Sequence, residues 1–360
     1  MTGLKEKLSL LQKIAKERTV KTQTVEYDLE TLVKKIDKNV IKLNPEYQRN
    51  HRWTEDFSSR LIESLILNIP VPFVYLSQDI DVDDDVDDDV ARYSVIDGQQ
   101  RLTAIHRFFK NKYPLEGLDV LTDLNNAYYR DFPPFLVRRL EERTIRCLRI
   151  DSTLDGQVKY DIFERLNSGS VKLEAQELRN ATCRGPFKAL VKRLSKNKDF
   201  TTACQLDDQG KRVKKMEDEE LVLRFYSITH KDNYNKYKGG FKSFLTENML
   251  EFNKFDDVII KEMEESFKEV FSYINSAGDD SPFGKYRSEN GGLKRMSKFN
   301  SAVFDSLILA VSKADKSNPI ELEKFRQLFH DKDYFSSVEG SVNDVSKLNI
   351  RILKGLEAIN

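Results

Sequence analysis

With 360 residues, 39% of them hydrophobic and 33% charged, the chain is long enough to bury a core in each of two domains. Its 59 Lys and Arg balance 59 Asp and Glu, and the pI is near 6.9, which excludes a globally basic nucleic-acid binder and confines any such surface to a local patch. Cys147, Cys183 and Cys204 lack metal-site spacing and fit a reducing compartment, the Met1 region has no signal-peptide apolar core, and no apolar run reaches bilayer length, so the sequence reads as a cytoplasmic protein with no membrane partner.

In chain order, residues 1–20 read as an amphipathic N-terminal arm, with leucines at helical spacing from Leu4 to Ala15 that pack on the protein itself or on a partner. Thr22 to Leu29 reads as a strand and Leu29 to Ile36 as a helix, opening a first domain over 21–170. In the block Ile41 to Trp53, Pro45 forbids a regular helix start, so Asn44-Pro45-Glu46-Tyr47 should be an extended turn that delivers Gln48 and Arg49 from a loop. Arg49 and Arg52 interleave with Tyr47 and Trp53, a pattern that suits a phosphate beside a stacked base. Aromatic anchors with carboxylate-paired arginines would give the same pattern.

From Thr54 a helix is well signalled, with Thr54 as its cap and Phe57, Leu61, Ile62, Leu65, Ile66 and Ile69 as its apolar stripe. Glu63 lies on the opposite face, solvated or reaching toward a pocket. Pro70 and Pro72 end that helix and pass the chain into a strand from Phe73 to Leu76, expected beside the strand that precedes Asp97. The acidic insert 79–90 lacks the turn glycine and closing glutamate of a calcium loop, so it reads as a solvated hairpin connection.

Tyr93 to Phe109 carries the strongest chemical signal. Tyr93, Val95 and Ile96 alternate, while Leu102, Ile105, Phe108 and Phe109 recur at helical spacing, so the period changes from two to 3.6 across Asp97-Gly98 and a tight turn falls at Gly98. The first N–H groups of a helix favour an anion, Gln99 and Gln100 add amide donors, and Arg101 offers a planar fork matched to phosphate. Asp97 beside a phosphate needs a divalent cation between them, or else it positions water. The plain alternative is a helix cap followed by a solvated first turn.

Beyond Phe109 the pattern is irregular, and Pro133-Pro134 marks a break. Thr144 to Ile150 reads as a strand, Leu154 to Leu166 as a helix, and Asn167-Ser-Gly169 as its left-handed cap, which leaves Arg165 and Asn167 at a helix end beside a glycine turn. Residues 171–360 then read as a larger all-helical domain, with helices over 175–182, 187–195, 217–229, 242–250, 256–274, 297–312, 320–329 and 342–359. Lys192, Arg193, Lys196 and Lys198, and then Lys211, Arg212, Lys214 and Lys215, form local basic clusters that either track a nucleic-acid backbone or are simply solvated.

The set Asn44-Pro45-Glu46-Tyr47-Gln48-Arg49, Asp97-Gly98-Gln99-Gln100-Arg101 and Phe163-Glu164-Arg165-Leu166-Asn167-Ser168-Gly169 resembles the N-terminal domain of GmrSD-type restriction endonucleases, distantly similar to the ParB/sulfiredoxin fold. Gln176 to Asn180 and Glu220 to Phe225 also resemble blocks of that family, whereas Ser170 stands where its members often carry a second glycine. The resemblance implies an α+β protein, with a small ParB/sulfiredoxin-like mixed-sheet nucleotide-binding domain followed by the helical one. It implies an NTP cofactor with Mg²⁺ held at Asp97, catalytic roles for Asp97, Gln100 and Arg101, and phosphate binding by Gln48, Arg49, Gly98, Gln99, Arg165 and Asn167. It also implies DNA, including modified DNA, as a partner in restriction or phage defence. His51, His106, His230 and His330 do not make the histidine-rich nuclease signature of larger relatives, so cleavage would come from a nuclease partner chain or from an unrecognised site. Two rival readings stand beside this NTPase: a non-catalytic DNA-binding module that uses the same pocket for a backbone phosphate, and a self-sufficient DNA nickase.

Overall fold

The computed structural model describes residues 21–43, 53–78, 93–150, 156–166, 174–183 and 185–359. The chain divides into one unit through Leu173 and a second from Glu174. Each has its own apolar core.

The first unit runs β1 (Thr22–Asp28), α1 (Leu29–Asp37), β2 (Ile41–Lys42), α2 (Glu55–Ile66), β3 (Val74–Gln78), β4 (Tyr93–Asp97), α3 (Gln99–Phe109), α4 (Pro134–Glu141), β5 (Thr144–Ile150) and α5 (Gly156–Leu166). Its five strands form one mixed sheet in the order β1-β5-β3-β4-β2. β1 is antiparallel to β5 and β3 to β4, while β5 runs parallel to β3 and β2 parallel to β4. The expected neighbour of the strand before Asp97 is therefore found in β3. Alternation sorts the two faces: Val74, Leu76, Val95, Ile145 and Cys147 join the core with α1, α2 and α3, and Ile96 points the other way, where α5 packs against β4.

Two expectations need correction here. Pro133-Pro134 starts a helix instead of breaking the chain, since Pro133 is the N-cap of α4 and Pro134 its first residue, where a missing N–H costs nothing. Glu63 is not solvated, and its carboxylate is taken up by the loop at Asp119–Leu121. The residue is 5% exposed and accepts from the N–H groups of Asp119 (3.2 Å), Val120 (2.8 Å) and Leu121 (2.7 Å). Burial pushes its carboxyl up, but these three donors more than offset that and hold it below the usual range.

The second unit comprises α6 (Ala175–Thr182), α7 (Pro186–Leu194), α8 (Lys198–Ala203), α9 (Lys211–Lys214), α10 (Glu217–Thr229), α11 (Phe241–Phe252), α12 (Asp257–Ser276), the strands β6 (Lys285–Glu289) and β7 (Gly292–Ser297), then α13 (Ser301–Lys313), α14 (Leu322–Gln327), α15 (Lys332–Ser337) and α16 (Val345–Ile359). It is helical as expected, except for the antiparallel β6–β7 ribbon that helical periodicity did not announce. α13 is buried along nearly its whole length and packs against α16, where a side chain at Gly355 would collide with Ser306 Oγ. At that contact Asp305 receives two arginines. Arg224 donates through Nε and through Nη2 (2.6 Å), Arg351 Nη2 donates at 2.7 Å, and both carboxylate oxygens are thereby satisfied with Asp305 and Arg351 fully buried. No helix among the described residues is long and apolar enough to cross a membrane.

Candidate functional site

The Gly98 turn is built by three local constraints. β4 ends at Asp97, α3 begins at Gln99, and Gly98 joins them in the left-handed region (φ 96°, ψ 7°) that a side chain disfavours. A Cβ at Gly98 would also stand 2.9 Å from Val74 Cγ2 and 3.3 Å from Arg101 Nη2, so the turn is packed tightly against β3. Hence only glycine serves here. Asp97 and Arg101 then straddle the turn four residues apart, and Arg101 Nη2 donates to Asp97 Oδ2 at 2.7 Å. The other end of the guanidinium donates to the Pro72 carbonyl. Arg101's side chain is 12% exposed and Asp97's 37%, so the arginine is tucked in and the carboxylate faces outward. Among the described residues Asp97 Oδ1 accepts no hydrogen bond.

Gln99 is buried, and Gln100 reaches sideways: its Oε1 accepts the Trp53 N–H at 3.3 Å. That contact places one end of the 44–52 stretch at the mouth of α3. Its other end leaves β2, where Lys42 lies opposite Ser94 on the parallel strand β4, so both flanks belong to the same end of the sheet as Asp97. Gln48 and Arg49 themselves, with Tyr47, His51 and Arg52, lie outside the described residues, as do Asn167, the arm 1–20 and the acidic insert. Arg165 is in the last turn of α5 and exposed, with no ion pair among the described residues. Of the nine residues nominated from the sequence, the structure thus brings Asp97, Gly98, Gln99, Gln100 and Arg101 into one turn.

Sequence reasoning missed the backbone partners of that turn. The Pro72 carbonyl and the Trp53 N–H carry no side-chain signature, and the close packing of Val74 on Gly98 is visible only once β3 and β4 are paired. Cys147 lies beside Val74 in the sheet, and burial pushes its thiol up to about 11, which removes it as a nucleophile near the site. His106 serves the fold: its Nε2 is 3.0 Å from Asp37 Oδ1, while Asp37 Oδ2 accepts from Lys110 Nζ at 2.7 Å, tying α3 to α1. No group of three or more His, Cys, Asp or Glu side chains among the described residues is arranged to hold a metal by itself.

Residues 29–183 match the model of the family described as GmrSD restriction endonuclease, N-terminal domain. Over that stretch the chain is similar to a GmrSD N-terminal domain. The match spans all of the sheet except β1, together with the turn Asp97–Arg101, both flanks of 44–52, and α5. It also runs past the boundary of the first unit to take in α6, so the last element of the matched stretch is folded as part of the helical unit. There α6 is held by polar contacts: Arg179 Nη1 donates to Glu220 (3.0 Å) and Gln176 (2.7 Å), and Asn180 Nδ2 donates to Glu219 (2.5 Å). The family blocks noted around Gln176–Asn180 and Glu220–Phe225 are the two sides of that contact. No curated protein and no solved structure matches the chain.

Proposed function

We propose that this protein is the nucleotide-dependent, DNA-sensing subunit of a restriction or phage-defence system, and that its nucleotide sits at the mouth of α3. The observation that carries the reading is the state of Asp97. Arg101 fixes one carboxylate oxygen and leaves the other open at the start of an eleven-residue helix, whose first N–H groups favour a phosphate while the open carboxylate oxygen offers a ligand to a divalent cation. Mg²⁺ is commonly held by one or two carboxylates together with the phosphates of its nucleotide, so a single open carboxylate is a sufficient protein share. When bound, the ion supplies neutralisation of phosphate charge. The residues do the rest. Arg101 orients Asp97, Gly98 lets the backbone come close, Gln99 and Gln100 shape the first turn, and Gln48, Arg49, Arg165 and Asn167 supply further donors for the phosphates.

In this reading hydrolysis switches the helical unit between DNA-bound and released states, modified DNA is the signal, and a partner chain cuts. A second reading is favoured by one observation, the engagement of Arg101 by Asp97 and Pro72: a turn already neutralised can serve a DNA-binding module without turnover. The experiment that separates them is phosphate release from each NTP, with and without DNA, by wild type and Asp97→Asn. Turnover that depends on Asp97 supports the NTPase. Absence of turnover with DNA binding retained supports the module.

A further inference from the structure

Of the eight residues in the basic clusters that the sequence offers for nucleic acid, four are paired within the helical unit. Arg193 is bound to Glu264, Lys196 to Asp218 (2.9 Å), Arg212 to Glu217 (2.8 Å) and Lys215 to Glu174 (3.0 Å). The β6–β7 ribbon is built differently. Asn290 (φ 52°) and Gly291 (φ 81°) form its tip, the paired left-handed residues of a tight two-residue hairpin. Its inner face is docked: Tyr286 is buried against Phe329 (ring centroids 5.5 Å), Ser288 Oγ lies 2.9 Å from His330 Nδ1, and Leu293 packs on the core. The outer face is therefore fixed in direction and carries Arg287, Glu289, Lys294 and Met296, all exposed.

Arg287 and Lys294 are directly opposed cross-strand partners. Two like charges at that spacing repel, and a strand pair normally avoids them. Lys294 reaches Glu289 at 3.2 Å, but with side chains 68% and 40% exposed such a pair contributes little. Arg287 and Lys298 have no ion pair among the described residues. Met296, 46% exposed, adds an apolar tip that the core does not use. Of the five basic residues in the ribbon segment 285–298, Lys285 is paired with Glu339 (3.2 Å) and Arg295 with Asp280 (3.0 Å), which leaves Arg287, Lys294 and Lys298 against the single acidic residue Glu289.

We propose that the outer face of the β6–β7 ribbon is a docking surface for double-stranded DNA, entering the major groove with Arg287 and Lys294 on backbone phosphates and Met296 toward the base edges. A two-stranded ribbon fits a groove about 12 Å wide, and thymine methyls offer the apolar contact. The opposed cations that are costly in the free ribbon become favourable when each meets a phosphate and releases a counterion. This inference rests on the DNA partner of the reading above and is independent of nucleotide turnover.

The test is anisotropy of a short labelled B-form duplex with the full chain across a salt series, comparing wild type, Arg287→Glu/Lys294→Glu, and the control Lys198→Glu/Lys214→Glu on exposed lysines elsewhere in the unit. Circular dichroism checks that all three fold. We expect the ribbon variant to bind roughly tenfold or more weakly and its log-log salt slope to fall by about two, one per lost phosphate contact, with the control near wild type. Wild-type affinity and slope in the ribbon variant, or equal losses in the control, overturn the ribbon while leaving DNA binding standing. No duplex binding by wild type overturns the DNA partner itself. Tighter binding to an RNA duplex also overturns the proposal, because the narrow A-form major groove does not admit a ribbon.

Discussion

Asp97 and Asp305 are both carboxylates clasped by arginine, one in each unit, and the chain treats them in opposite ways. Asp305 is fully buried, takes two guanidinium groups, and has no oxygen left to offer. Asp97 takes one guanidinium on one oxygen and turns the other outward. The same pair of side chains is thus a fastener in the helical unit and an incomplete charge cluster at the Gly98 turn. What separates them is whether the carboxylate's bonding capacity is exhausted inside the fold, and that depends on burial more than on residue type.

The largest effect is expected at Asp305. Asp305→Ala leaves two buried guanidinium groups unpaired and should cost about 3–5 kcal/mol, read as a lowered urea midpoint for the helical unit. Replacing all three members by apolar side chains of similar volume should cost less than that single change, because the buried charge goes with its partners. Gly98→Ala comes next: a positive φ and a 2.9 Å approach to Val74 should cost about 1–3 kcal/mol, and nucleotide binding should fall with it.

Glu63 sharpens the contrast from the other side, as a buried carboxylate satisfied wholly by backbone. Glu63→Gln should cost about 2 kcal/mol at neutral pH, since bonds to a charged acceptor are the stronger kind. The sign follows from its depressed carboxyl: the stability it contributes is present above the ordinary value of 4.5 and is lost as pH falls through the lower folded value. Wild type and variant should therefore converge in urea melts run below pH 4.5. The smallest effect is expected at Arg193, whose fork meets Glu264 on the surface and whose side chain is 54% exposed. Arg193→Ala should shift stability by no more than about 1 kcal/mol, in the same melts.

Much of the first unit could be read ahead of the structure because its signals are local. The change of period at Asp97-Gly98 marks a strand turning into a helix, and Thr22–Asp28 and Thr144–Ile150 alternate cleanly enough to place β1 and β5. What escaped was non-local or backbone-borne. Glu63 meets a loop more than fifty residues away, and nothing in its helical spacing announces three converging N–H groups. Thr54 is the N-cap residue of α2, yet its hydroxyl turns to Asp56 and makes no cap hydrogen bond. The β6–β7 ribbon was passed over although Asn290-Gly291 is a strong hairpin signal, because Lys-, Arg- and Ser-rich strands lack the apolar alternation that usually accompanies it. The turn from Asp97 to Arg101 is legible as a strand passing into a helix, but the capture of Arg101 by Asp97 and Pro72 is not, since the fork could equally point to solvent.

Whether Asp97 is an open ligand at the mouth of α3 is measured most directly by calorimetric titration of each NTP into wild type and Asp97→Asn, with Mg²⁺ and with chelator. Wild type should bind at least one NTP more tightly with Mg²⁺ than without. Asp97→Asn should lose about tenfold or more in affinity, equivalent to about 1.4 kcal/mol, together with the metal dependence, while its urea midpoint stays close to wild type. Equal, metal-independent binding by the two proteins, or no nucleotide bound by wild type under any condition, would contradict that role of Asp97.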